Sequence, residues 1–158
     1  MLKQIVSKHT TSTPCGKVVN LYALDGNAEF RKAVEQEVLA LIEKIPHACV
    51  LIPSGKARLD NPLRDLVMEL AMTLQVQTLV TGAPENLRRL EYSTAKDVVL
   101  IKQSFKTGAG LKKEIEEVRA QGCTVRVICM IAHKRASIDA FAKENNVEIS
   151  TLVCLDEE

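Results

Sequence analysis

Between Asp97 and Arg119 the chain passes from an apolar run, Asp97-Val-Val-Leu-Ile101, through a loop of small and basic residues ending Lys106-Thr-Gly-Ala-Gly110, into a charged segment with apolar residues at helical spacing. A buried strand, a tight turn and an amphipathic helix follow from that order. Few folds accommodate it, because a strand buried on both faces needs a covering layer on each side. The start of the following helix presents unpaired backbone N–H groups and the positive end of the macrodipole, which suit an anion. No carboxylate stands between Asp97 and Glu114, so the loop itself has nothing with which to hold a metal or grip ribose hydroxyls.

Short β-branched runs alternate with helix-period runs over most of the chain, without internal repeats or low-complexity tracts. That pattern predicts a parallel sheet flanked by helices. Residues 1–24 read as an irregular N-terminal segment, with Thr10 to Gly16 as a loop and Lys17 to Leu24 as an edge strand or hairpin arm. Asp25-Gly-Asn27 forms a turn that caps a helix from Ala28 to Ile45, stopped by Pro46. Ala48 to Ile52 is a short buried strand. The loop 53–61 then leads into a helix capped by Asn61 and begun by Pro62, with Leu63, Leu66, Val67, Leu70 and Leu74 as its buried stripe.

Gln75 to Val80 is the next strand, and residues 81–96 are loop-like. Gly122 ends the helix of the opening segment. Thr124 to Ile131, the most apolar run, is expected at the centre of the sheet. Ser137 caps a helix to about Asn145, and Asn146 turns the chain into a last strand, Val147 to Leu155. The 158 residues make one α/β domain, a three-layer αβα architecture with a mainly parallel central sheet and its core over 25–158. Ligands bind such sheets outside the carboxyl ends of the strands, where the loops 53–61 and 102–110 both lie.

Composition narrows the partners. Lys and Arg number 21 against 20 for Asp and Glu, so no global field attracts nucleic acid or a membrane, and any cationic site is local. Aromatics are 3% of the chain, too few for the stacking platforms of single-strand binders. No apolar run approaches a bilayer span, and the first residues lack a secretory apolar core. The five cysteines, Cys15, Cys49, Cys123, Cys129 and Cys154, show no Cys-x-x-Cys. Cys49, Cys129 and Cys154 fall in strand-like runs, where the thiol acts as a small core group. A reducing, cytoplasmic setting is expected, without a disulfide framework or a bound metal.

Two loops carry candidate chemistry. Lys106, Thr107, Gly108, Ala109 and Gly110, followed by Lys112 and Lys113, read as a phosphate cradle. The plainer alternative is a tight strand-to-helix turn with solvated lysines. The loop is neither a nucleotide P-loop nor a dinucleotide fingerprint, since the required lysine–hydroxyl pair and third glycine are missing. Ser54, Gly55, Lys56 and Arg58 form a second polar loop whose cations suit a pyrophosphate, or equally a surface loop. Among the histidines, His9, His47 and His133, the last leads Lys134-Arg135 at a strand exit and stands best placed to meet a ligand. No catalytic residue stands out: the serines lack a nucleophile elbow, and nothing beside Cys15 would activate its thiol. Glu114, Glu116 and Glu117 alternate with Lys112, Lys113 and Arg119 as a solvated helix face would.

The segment from Asp97 onward resembles the type I phosphoribosyltransferases, and among them the orotate phosphoribosyltransferases. Val98 to Ile101 match the family's strand, Lys102 to Gly110 its phosphate loop, Gln121-Gly122-Cys123 its helix end, and Ala142 to Asp156 its closing helix and strand. The resemblance places Pro53 to Arg58 at the family's pyrophosphate loop and residues 81–96 at its flexible catalytic loop. It also implies a homodimer, and magnesium only if the chain catalyses transfer.

The departures bear on function. Where the family has the acidic pair that holds the ribose of phosphoribosyl pyrophosphate, this chain has Lys102 and Gln103. Only Thr107 and Gly108 keep the identity of the family's 5′-phosphate cradle. The flexible loop has no Lys-Glu-x-Lys-x-His-Gly. The resemblance therefore implies a protein impaired in transfer or repurposed to bind a small phosphorylated nucleotide or sugar phosphate. One alternative is an active, divergent transferase that makes a nucleoside monophosphate from a base and phosphoribosyl pyrophosphate, with Asp60, Asp65 and Asp139 as its nearest carboxylates. A further alternative, a polyanion or nucleic-acid module using the lysines of 102–113, runs against the neutral charge and scarce aromatics.

Overall fold

A computed structural model describes residues 1–45, 49–55, 62–78 and 96–157. Five strands form one wholly parallel sheet, β3 (Cys49–Pro53), β4 (Gln77–Thr78), β5 (Asp97–Phe105), β6 (Thr124–Ala132) and β7 (Glu148–Cys154), in the order β4-β3-β5-β6-β7. Helices α3 (Ala28–Ile42) and α4 (Pro62–Leu74) belong to one face, and α5 (Ala109–Ala120) and α6 (Arg135–Glu144) to the other.

The side-chain alternation of β5 shows why the sheet is covered twice. Val99 and Ile101 pack with Phe30, Val34, Val38, Leu66, Val67 and Leu70 of α3 and α4. Val98 and Leu100 point the other way, onto Leu111, Ile115 and Val118 of α5 and Ile138 and Phe141 of α6. Each fully buried Val, Leu or Ile contributes roughly 1.5–3 kcal/mol relative to exposure, so a single-faced sheet would leave half of that gain unused. The helices form close to where expected because their apolar residues recur on one stripe, and local hydrogen bonds close several of their ends. Asn27 Oδ1 accepts from the Phe30 N–H at 2.8 Å to start α3. Gly122, at φ 76°, closes the end of α5 with a 3.0 Å bond from its N–H to the Arg119 carbonyl.

The structure departs from the sequence reading at several places. Residues 1–24 are not irregular: they form α1 (Leu2–Lys8), an antiparallel hairpin of β1 (Thr10–Thr13) and β2 (Gly16–Val19), the latter meeting the hairpin arm expected from Lys17, and the start of α2 (Leu21–Asp25). Leu2, Ile5 and Val6 bury against the α3 side of the core, so even a seven-residue helix is held by tertiary packing. The middle of the sheet is β5, with β6 beside it, because β7 pairs with the far edge of β6. Helix α3 stops at Ile42, three residues early. Gln75 adopts φ 54°, which ends α4 and delays β4 to Gln77. Helix α6 starts at Arg135 and not after Ser137, because Asp156 supplies the cap from outside the helix. Among the described residues no helix is long and apolar enough to cross a membrane.

Candidate phosphate site at the carboxyl edge of the sheet

Parallel pairing brings the exits of β3, β5, β6 and β7 to one edge. The exit of β5 is the predicted cradle. Gly108 is the N-cap of α5, at φ 76° and ψ 8°, and among the described residues no side chain caps the helix. Its N–H-to-carbonyl ladder begins with Lys112 N to Gly108 O at 3.0 Å, so the N–H groups of Ala109, Gly110 and Leu111 have no partner among the described residues. Lys106, Thr107, Ala109, Gly110 and Lys112 are exposed, while Gly108 is buried.

Glycine at 108 is demanded twice. Its φ disfavours any side chain, and a Cβ would stand 2.6 Å from Phe105 Cε2 and 2.7 Å from Phe141 Cδ2. Those two rings meet edge to face at 5.2 Å between centroids, which fixes the height of the loop above the core. An open hollow of about 230 Å³ lies alongside, lined by Thr107, Gly108, Ala109, Lys112, Phe141, Glu144 and Asn145.

At the neighbouring exit, the His133 N–H donates to the Phe105 carbonyl at 3.0 Å, so His133 and Lys106 lie side by side where β5 and β6 end. Burial and the Lys106 charge hold the imidazole below its ordinary pKa. Beyond it, Asp156 accepts from the Arg135 N–H through both oxygens, at 3.1 and 3.2 Å. The N-terminus of α6 is thus filled by a carboxylate of the chain itself.

Lys102 and Gln103 point to opposite faces of β5, as neighbours on a strand do. Gln103 Nε2 donates to Asp25 Oδ1 at the end of α2, in a crevice shared with Phe30, Arg31, Leu63, Leu66 and Met130. Burial pushes the Asp25 carboxyl above the usual carboxylate range, and the Gln103 bond offsets part of that. On the other face, Glu114 of α5 receives the Ser54 hydroxyl at 2.8 Å on Oε1 and the Gly55 N–H at 3.4 Å on Oε2. Burial raises the Glu114 pKa, against the pull of those two bonds and of the Lys102 charge.

The expected solvated face of 114–119 is therefore corrected at Glu114, while Arg119 stays exposed. Glu114 is half-buried and holds the loop after β3, and Arg119 donates to the carbonyls of Asn145 and Asn146, each at 2.6 Å. Asp65 and Asp139 are exposed on α4 and α6, and neither contacts the cradle. Among the described residues, Asp25 bonds Gln103, and Glu114 lies within range of the Lys102 charge. Sequence reasoning missed both. For Glu114 the signal was present: it follows Leu111 by three residues and precedes Ile115, so it borders the buried stripe. For Asp25 there was none, since its partner lies 78 residues away. Lys56, Arg58, Asp60, His47 and residues 81–95 lie outside the described residues.

Among the described residues, no group of three or more carboxylates, histidines or cysteines gathers to hold a magnesium ion bridging a sugar and a pyrophosphate. Such a cation takes hard carboxylate oxygens. At this edge Lys102 offers only an ammonium, Gln103 directs its amide N–H to Asp25, and the oxygens of Glu114 are already engaged.

No protein-family model and no curated protein matches the sequence. Solved structures do match, and they define the class: the architecture is the type I phosphoribosyltransferase fold. The chain is similar to orotate phosphoribosyltransferase from Aeropyrum pernix, at 17% identity and TM-score 0.66, with 98% of this chain and 95% of that chain covered. APRTase from Giardia lamblia complexed with 9-deazaadenine gives 13% identity and TM-score 0.73, with 99% of each chain covered. Orotate phosphoribosyltransferase from Mycobacterium tuberculosis H37Rv in complex with inorganic phosphate gives 13% and 0.63, over 98% of this chain and 94% of that one. Orotate and adenine enzymes are matched alike, so the likeness follows the scaffold and not the base.

Proposed function

We propose that this protein is a phosphoribosyltransferase-like binder of a small phosphorylated ligand, a nucleotide or sugar phosphate, held at Lys106 to Gly110. The observation that carries the reading is the open start of α5. Three backbone N–H groups and the macrodipole face the carboxyl edge beside Lys106, Thr107 and Lys112, with no side chain among the described residues capping them. The fold supports it too, since proteins of this fold have been solved with inorganic phosphate and with AMP, pyrophosphate and ribose-5-phosphate.

Ordinary phosphoribosyl transfer fits poorly. A charge-assisted hydrogen bond is worth roughly 1.5–3 kcal/mol, and the two positions that would grip the ribose carry an ammonium and an amide. Each 1.4 kcal/mol or so removed from a transition state costs about tenfold in rate. Loss of both grips therefore lowers transfer by about two to four decades.

Calorimetric titration of the full chain with ribose 5-phosphate, nucleoside monophosphates and phosphoribosyl pyrophosphate tests the reading. Binding of a monophosphate at micromolar to sub-millimolar strength is the expected result. No heat with any of them near millimolar overturns it. Turnover of orotate or adenine with phosphoribosyl pyrophosphate, abolished by chelating magnesium, would instead make the chain an active transferase. Steeply salt-dependent RNA binding would point to a polyanion module.

A further inference from the structure

The loop after β3 directs two donors at one carboxylate. Ser54 is 8% exposed, so its hydroxyl sits at the base of the loop. The next residue, Gly55, adopts φ 102°, and its N–H meets the same side chain. The hydroxyl and the N–H converge on the two oxygens of one carboxylate, Glu114, at 2.8 and 3.4 Å. An O–H and a positive-φ N–H aimed at two oxygens of a single planar anion are what an oxyanion of a bound phosphate would also receive. The loop itself is anchored, because the Ser54 N–H donates to the Ile101 carbonyl at 2.8 Å and so continues the β3–β5 ladder.

We propose that Glu114 acts as a tethered competitor at the Ser54–Gly55 seat and restricts the protein to ligands with one phosphoryl group, excluding those that carry a diphosphate. The inference rests on the phosphate reading of 106–110 and gives its ligand class. A monophosphate ester needs only the cradle at α5. A diphosphate reaching toward β3 meets a carboxylate instead of free donors, and it must either displace that carboxylate or bring a like charge beside it. Lys102 and Glu117 are the other charged groups acting on Glu114, of opposite sign to each other, so they do not neutralise it outright.

Amide NMR on the full 15N-labelled chain separates the two seats, with Gly110 reporting the cradle and Gly55 reporting the loop. Wild type is expected to shift Gly110 with ribose 5-phosphate and to leave Gly55 unmoved with inorganic pyrophosphate. Glu114→Ala empties the seat, and Glu114→Gln keeps its shape without the charge should the alanine variant fold poorly. In either, pyrophosphate is expected to shift Gly55 and to bind at least tenfold more tightly than to wild type. Glu116→Gln, an equal charge change at an exposed position on the same helix, is expected to give no such gain. Pyrophosphate that shifts Gly55 in wild type, or variants of Glu114 that gain less than twofold, would overturn the inference. A Gly110 amide that ignores ribose 5-phosphate would refute the cradle reading alone, because the Gly55 readout stands without it.

Discussion

Asp156 and Arg135 are joined across 21 residues by a backbone N–H that donates to both oxygens of one carboxylate. That contact gives α6 an internal anion at its positive end, and the Cys154 thiol steadies the carboxylate from 2.8 Å. Helix α5, which starts at the same edge, has no counterpart among the described residues. The two helices therefore show one physical device in two states, filled and open.

A carboxylate placed at the open end should mimic the filled one. Position 110 admits it, since a Cβ there meets nothing within 4 Å. Gly110→Asp is expected to stabilise the fold by about 0.5–1 kcal/mol, through helix propensity and the macrodipole. It should also lower affinity for ribose 5-phosphate at least tenfold by occupying the anion position. Urea denaturation and calorimetry read the two effects separately; a variant that binds as wild type does would remove the cradle from consideration.

Gly108 is the opposite case. Gly108→Ala combines a left-handed backbone with a Cβ driven into Phe105 and Phe141, and it should cost about 2–5 kcal/mol. The urea midpoint measures this directly. A loss below about 0.5 kcal/mol would mean that the two rings yield, and that the loop height is not set by their packing.

The raised pKa of Glu114 has a definite sign in stability. A carboxyl whose folded pKa lies above its unfolded value contributes stability that is fully present below the unfolded pKa, near 4.3, and lost as pH rises through the folded one. Asp25 acts in the same sense. Glu114→Gln cannot titrate, so its stability relative to wild type is expected to be greatest at neutral pH and to decline as pH falls toward 4. Urea midpoints for the pair at pH 4, 5.5 and 7 provide the check; an offset that does not change with pH would show that Glu114 titrates normally.

Thiol labelling tests the burial of the core. Cys15 is exposed, whereas Cys49, Cys123, Cys129 and Cys154 are buried. Burial pushes Cys129 up to about 12 and Cys154 to about 11, so neither is a thiolate at pH 8. A chromogenic disulfide reagent should titrate one thiol per native chain and all five once the chain is unfolded. Two or more fast native thiols would place part of the core within reach of solvent.

The layers of the fold were legible because burial enforces period. Val98 to Ile101 could only be a doubly covered strand, and Leu111, Ile115 and Val118 only a one-sided helix. The N-terminal region was not legible for two reasons. Helix α1 has seven residues, too few for a periodic signal, and β1 is exposed at three of its four positions, so no alternation betrays it. At the site, the strand exit and the glycine turn into the next helix were readable from the sequence. The grip of Glu114 on Ser54, and of Asp25 on Gln103, depends on which surfaces the sheet order brings together, and local spacing does not encode that.

The Lys17 ammonium donates to the Leu155 carbonyl at 2.7 Å, a contact spanning 138 residues, and the apolar side of α1 rests on Val153 and Leu155 beneath it. The segment ahead of the sheet therefore has its berth on β7 and the residue that follows it. Leu2, Ile5 and Val6 thus find their cover in α3 and β7, contacts of long sequence separation that tie the two ends of the domain together.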